Sequence, residues 1–293
     1  MILLAFLAQT LRIATPYFFA AAGGVLSERV GVIALTLEGF MLTGAFCAAV
    51  GSYESGDPWI GVMAGVAGGL LAAALYALAT IRFRADQVVS GIAVNLLAVG
   101  ATRFFLRLLY DSSSNSPRVP GFGGEQASGA GLLTTFGNPL IWLGVLALPV
   151  LAWVLYRTPF GLRARAVGEH PEAARSVGVP VARIRWLGVL LSGALAALGG
   201  VYLALDQHQF TDGMTAGRGY IALAAVIFGR WDPKRVLLAG FLFAAAETMQ
   251  IQLQSLQVIP SQFVEMIPYL LTIVALAGLV GRSTPPAALG RVE

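Results

Sequence analysis

Hydrophobic residues along this chain come in long unbroken blocks separated by short polar stretches. The first block covers 2–24 and stops at Ser27-Glu28-Arg29, and the second, 31–52, is interrupted by Glu38-Gly39 and ends at the acidic turn from Tyr53 to Pro58. Further blocks lie at 59–81, 87–109, 139–156, 186–205, 236–255 and 262–281, with a shorter one at 220–229. Most come close to the about 20 residues that carry a helix across a bilayer. The run GVMAGVAGGLLAAALYALATI has no alternation of apolar and polar positions, which the strands of a membrane barrel would show. The pattern predicts an all-α polytopic membrane protein with about 8–10 transmembrane segments. We read 1–282 as a single transmembrane domain and 283–293 as a cytoplasmic tail. The two prolines of RSTPPAALGRVE lead us to expect a disordered or loosely attached tail.

The 220–229 block is too short. Extended back to Gly217 it gives about 20 Å of helix at 1.5 Å per residue, against a hydrocarbon core of about 30 Å. Gly213, Gly217 and Gly219 favour a bend before it. A broken or re-entrant helix is therefore predicted near 206–229. Irregular backbone at membrane depth is tolerated only where protein or a watery cavity covers it, and broken helices in transporters commonly border the substrate path.

Composition supports the membrane reading. With 57% hydrophobic and 12% charged residues, the chain carries about half the charge of a soluble domain. One cysteine, Cys47, excludes an internal disulfide and a cysteine-based metal cage, and it reads as a small packing residue. His170 and His208 fall on opposite predicted sides of the membrane, so no histidine-ligand site is visible. A pI near 9.5 would suit a nucleic-acid binder, but the arginines sit in loops beside apolar blocks, as the positive-inside rule requires. The expected surroundings are membrane lipid, with no nucleic-acid partner.

If the blocks alternate, the basic clusters at 28–29, 82–86, 157–185, 230–235 and 282 share one side, and Glu54, Asp57, Asp111, Glu125, Asp206 and Asp212 share the other. The first residues are then outside and the tail inside. Arg103 and Arg107 do not fit; they are expected to snorkel outward or to line a wet vestibule.

The loop 157–185 holds six arginines against two glutamates, 6 − 2 = +4, the formal charge of the whole chain. Within it, PEAARSVG reads as a helix from Pro171 to Val177. Pro171 suits the first helical position, Glu172 the positive N-terminal end, and Gly178 a left-handed C-terminus. A basic loop with its own helix points to a cytoplasmic docking element.

Ionisable and amide side chains within the apolar blocks are costly and so are functional candidates. These are Glu38, Asn95, Glu265, and the row Glu247, Gln250 and Gln254, whose spacing puts all three on one helix face. Two readings stay open: a polar lining for a hydrated solute, or hydrogen bonds that tie helices together. Gly61, Gly65 and Gly69, and likewise Ser192, Ala196 and Gly200, are read as close helix packing. The single lysine, Lys234, precedes Arg235, so the phosphate-binding loop G-x-x-x-x-G-K-[ST] is absent. No catalytic constellation appears and no cofactor is called for. If ATP drives transport, the ATPase is another chain, docking at 171–177. The other classes considered are an ion-coupled carrier using Glu38, Glu247 or Glu265, and a membrane enzyme.

TPFGLRARAVGEHPEAARSVGV, LLSGALAALGGVYLAL and AGRGYIALAAVIFGRWDP, in that order, resemble the permease subunit of bacterial ABC importers, most closely the nucleoside/sugar branch that works with BMP-type lipoproteins. SERVGVIALTLEGFMLTGAF, VVSGIAVNLLAVG and MIPYLLTIVALAG fit the same family, so the resemblance covers nearly the whole chain. It implies a multi-pass subunit in the bacterial cytoplasmic (inner) membrane that imports purine or pyrimidine nucleosides or a related solute. Monosaccharide and branched-chain amino acid permeases are the alternatives within the class. It implies as partners an ATPase with tandem nucleotide-binding domains, a second homologous permease and an extracytoplasmic solute-binding lipoprotein. By the same resemblance Gly168, Glu169, Pro171, Glu172, Ala173, Ala174 and Gly178 belong to the helix that seats on the ATPase. The family usually has asparagine at the positions of Ala34 and His170, and Ala34 removes a polar group near the presumed pathway.

Overall fold

The computed structural model describes residues 2–122, 136–255, 266 and 284–291. Its regular elements are helices: α1 Ile2–Arg29, α2 Leu37–Ser55, α3 Pro58–Ala77, α4 Gln87–Tyr110, α5 Pro139–Arg157, α6 Pro159–Glu169, α7 Pro171–Ser176, α8 Val181–Asp206, α9 Arg218–Phe228 and α10 Pro233–Ser255. A π turn, Leu78–Arg82, extends α3. Among the described residues, six helices are long and apolar enough to cross a membrane: α1, α3 with its extension, α4, α5, α8 and α10. Apart from Met266, the block at 262–281, with Glu265, lies outside the described residues, as does Glu125.

Proline sets many of the starts. Pro58, Pro139, Pro159, Pro171 and Pro233 each open a helix, at the position where a missing N–H is harmless. Asp57, Asn138 and Thr158 cap three of these with their side chains. The carboxylate of Asp232 accepts from the N–H of Lys234 at 3.0 Å and does the same for α10.

The centre is α8, which packs on α1, α2 and α3, while α2 and α3 also pack on each other. Small residues set the spacing. A Cβ on Gly44 would come 2.7 Å from the backbone of Ala197, and one on Gly61 would come 2.8 Å from the backbone of Ala48. Gly65 and Gly69 abut α8 in the same way, and Gly200 abuts Met41. Both small-residue stripes therefore serve close packing, where Cα–H and backbone contacts replace side-chain bulk.

Two stretches of irregular backbone enter this helical body. The first, 30–36, departs from the apolar block expected at 31–52: α2 starts only at Leu37. One face of α4 holds it along its length. The Ile33 N–H donates to Gln87 Oε1 at 2.8 Å, Gly91 leaves room for Leu35, and Asn95 Nδ2 donates to the Leu35 carbonyl at 2.9 Å. Positions 87, 91 and 95 repeat every four residues and so form a single line on the helix. The second stretch, 207–217, leads from the end of α8 into α9, whose 11 residues make about 16 Å of helix. This is the broken segment predicted near 206–229.

The two ends of the bundle are distinct. At one end the loop 111–122 pairs with 208–212: Val119 N–H donates to the His208 carbonyl at 2.9 Å and Ser116 N–H to that of Phe210 at 2.8 Å. Arg103 reaches this loop, with Nε donating to both carboxylate oxygens of Asp212 at 2.8 and 2.9 Å, so the arginine that broke the charge pattern extends to the polar end. The other end collects Arg29, the π turn, α6, α7 and the turn 229–232. The tail is docked there, against expectation. Ala288 N–H donates to the Gly168 carbonyl at 2.9 Å, Gly290 N–H to that of Gly31 at 3.2 Å, and Ala288 is fully buried. Prolines end helices; they do not prevent a short segment from filling a groove with its own backbone donors.

Candidate functional site

Three of the polar residues predicted inside the apolar blocks, Glu38, Asn95 and Glu247, converge on one place, the N-terminal end of α9. Gly217 precedes that helix with φ +80° and has no side chain to cap it. Glu38, in the first turn of α2, takes over. Its Oε1 accepts from the Thr215 hydroxyl at 2.6 Å and from Gly217 N–H at 2.8 Å, and Oε2 accepts from Gly219 N–H at 2.7 Å. A carboxylate on the free N–H groups of a helix start satisfies orphan donors and offsets the helix dipole. Gly219 has no Cβ because one would fall on the Glu38 backbone.

Beside it, Arg218 Nη2 donates to Glu247 Oε1 at 2.9 Å and Nη1 to the Met214 carbonyl at 3.2 Å. The other oxygen of Glu247 accepts from the Tyr17 hydroxyl. An unpaired charge at membrane depth costs about 2.5–3.5 kcal/mol even on insertion scales, so the pair is mutually required. Asn95 completes the cluster: its Oδ1 accepts from Gly39 N–H at 2.9 Å and its Nδ2 faces the Tyr220 hydroxyl at 3.0 Å. Glu38, Asn95 and Glu247 thus meet at a junction of α1, α2, α4, α9 and α10. Gln250 and Gln254 continue the Glu247 face of α10 and are half-buried. Arg218, Tyr17, Thr215 and Tyr220 were not singled out in the sequence. Arg218 carried the one available signal, a charge between two glycines ahead of an apolar run.

A cavity of about 550 Å³ lies apart, between α2, α3 and α4, lined by Phe46, Cys47, Val50, Leu71 and Phe105 among others. The hydroxyls of its Thr43 and Thr102 are spent on the Gly39 and Ala98 carbonyls of their own helices. Its wall is apolar, and none of the junction carboxylates or Asn95 contributes to it.

At the basic end, the segment 158–178 holds two helices joined at His170, where a single one was predicted. Thr158 caps α6 by accepting from Gly161 N–H at 3.2 Å, ahead of Pro159; the Thr-Pro pair was its signal. The short helix α7 keeps the predicted cap: Gly178 has φ +83°, and Val179 N–H donates to the Ala174 carbonyl at 3.0 Å. His170 gives α7 no side-chain cap. Pro171 and Ala174 are buried, while Glu172, Ala173, Arg175 and Ser176 are exposed and Val177 is 77% exposed. Gly168 is buried against the Arg29 carbonyl, and Glu169 lies 3.9 Å from Arg29 Nη1.

This chain belongs to the family described as branched-chain amino acid transport system / permease component, whose model matches residues 6–276. It is 39% identical over 302 residues to the guanosine ABC transporter permease protein NupQ of Bacillus subtilis (strain 168), covering 96% of this chain and 93% of that one. It is 38% identical to the nucleoside ABC transporter permease protein NupC of Lactococcus lactis subsp. cremoris (strain MG1363), covering 97% and 94%. A solved structure of a metal-chelate type ABC transporter in an inward-facing conformation matches its fold with a TM-score of 0.52 at 15% identity, over 92% of this chain and 84% of that one. The chain is a multi-pass ABC permease subunit, a transport component and not an enzyme.

Proposed function

We propose that this chain forms the translocation path of an ATP-driven importer for purine or pyrimidine nucleosides. The observation that carries the reading is near-full-length likeness, at 39% and 38% identity, to relatives named for guanosine and nucleoside transport. The partners are an ATPase with tandem nucleotide-binding domains, a second homologous permease and an outside solute-binding lipoprotein. The ATPase docks on α6 and α7, within the segment Gly168–Gly178; the exposed Glu172, Ala173 and Val177 support this face. Glu38, Asn95, Glu247, Gln250 and Gln254 border the path, supported by the gathering of Glu38, Asn95 and Glu247 around a half-helix start of the kind that lines transporter sites, with Gln250 and Gln254 farther along the same face of α10. Ion-coupled transport is the weaker account, since Glu38 and Glu247 are each committed to protein donors.

The test is uptake of radiolabelled guanosine by cells carrying the complete transporter, with unlabelled uridine, ribose or leucine in excess. Uridine is expected to compete and ribose and leucine to leave uptake unchanged. Competition by ribose or leucine alone would reassign the solute.

A further inference from the structure

Two sequence motifs that the proposed roles leave unused, SERVG at 27–31 and GRWDP at 229–233, meet at the cytoplasmic end of α9. Arg29 donates both Nε, at 3.0 Å, and Nη2, at 2.9 Å, to the Trp231 carbonyl. The Trp231 ring is 5% exposed, and its indole N–H donates to the buried carboxylate of Glu28. Glu28 also accepts from Ala34 N–H at 3.2 Å, so the same group ties down 30–36. On its other side Arg29 faces Glu169 at 3.9 Å, and its carbonyl abuts Gly168. Residues of the α6–α7 segment, the end of α1 and the end of α9 are therefore in direct succession.

Both ends of α9 carry an uncommon backbone. Ala216 and Gly217 have φ +47° and +80°, and Arg230 and Trp231 have φ +52° and +55°. Only one of these four is glycine, so three L side chains hold a conformation they rarely adopt. Strain of this kind persists where the surroundings over-determine it, and it clusters at clamps and switches. Here each left-handed pair sits where clamping is densest: 216–217 beside Glu38, and 230–231 beside Arg29 and Glu28. Between them Arg218–Phe228 is one uninterrupted helix.

We propose that α9 is a rigid bar between two left-handed joints, and that Arg29 and Trp231 are positioning residues that pass displacement of the α6–α7 segment to the junction at Glu38. The proposal rests on the reading that an ATPase docks on α6–α7. A shift at Gly168–Glu169 moves Arg29, Arg29 drags the Trp231 carbonyl, and the bar carries that motion to Gly217 and Gly219. Their N–H bonds to Glu38 are what must change if the junction opens.

The experiment measures hydrogen–deuterium exchange of amides 215–220 in the complete transporter, with and without ATP and vanadate. In the native protein ATP is expected to change this exchange about fivefold or more, as expected when local opening is redistributed. Arg29→Ala is expected to erase the change and to lower uptake per ATP hydrolysed about tenfold while ATPase subunits still co-purify. Arg29→Lys, with one ammonium in place of two donors, is expected to restore part of both. Trp231→Phe keeps a ring and removes the donor to Glu28; it is expected to halve the response and decides the matter if Arg29→Ala does not assemble. An undiminished ATP-dependent change in either assembled variant overturns the proposal. Glu172→Arg with Ala173→Trp tests the docking itself. Continued co-purification of the ATPase with that variant breaks the docking reading, separately from the relay.

Discussion

The helical body is interrupted by irregular backbone twice, and the two breaks are built differently. The first, 30–36, is held along α4 by the neutral amides of Gln87 and Asn95, and the buried Glu28 carboxylate accepts from its Ala34 N–H. The second, 207–217, ends on charge: Glu38 grips three donors at 215–219, and Arg218 grips Glu247. Left-handed residues cluster in the second, at His208, Gly213, Ala216 and Gly217, and the first has only Gly31. Amide tethers saturate backbone groups and have one arrangement. A carboxylate on a helix start has two workable states, because water or a polar solute can replace it at the N–H groups it releases. The first break thus suits a fixed support and the second a moving contact.

Variants at the two breaks test that contrast. The largest effect is expected for Glu38→Ala, which leaves two backbone donors and a hydroxyl without their acceptor, at about 1–3 kcal/mol each. Uptake should fall about 100-fold, with near-normal amounts in the membrane, because the α2–α3–α8 packing is untouched. Glu247→Gln keeps an acceptor for Tyr17 but strips Arg218 of its counter-charge, and it should lower uptake about tenfold. Asn95→Ala touches both breaks through Leu35 and Tyr220; about threefold lower uptake is expected, with assembly retained. Gln87→Ala removes one tether of the fixed break. It should lower the melting temperature of the purified complex by a few degrees, since one buried hydrogen bond contributes about 1 kcal/mol, and leave uptake within about twofold. Equal uptake losses in Gln87→Ala and Glu38→Ala would dissolve the distinction.

Much of this was legible before the structure. Block lengths marked most helices. The shortness of 220–229 and its three glycines marked the half-helix, and Pro171 with Gly178 marked α7. The start of α2 was hidden, because VGVIALT is apolar throughout and periodicity cannot separate a buried extended run from helix. The separate helix α6 was hidden by its polar face, which reads as loop charge. Arg218 and Glu247 are 29 positions apart, and Arg29 and Trp231 are 202 apart. No local rule brings such residues together; only the packing of α1, α9 and α10 does. Ala174 is instructive in the other direction. It belongs to the predicted docking helix, yet it is 4% exposed, because so short a helix is anchored by one buried side, Pro171 and Ala174.

The docked segment 284–291 bears on how the protein is made. It seals the root of the α6–α7 segment by donating to Gly168 and Gly31, residues that leave the ribosome long before it. Until 284–291 emerge, the Gly168 and Gly31 carbonyls lack these donors. On the proposed docking of the ATPase at α6–α7, its seat is completed only when synthesis reaches this segment.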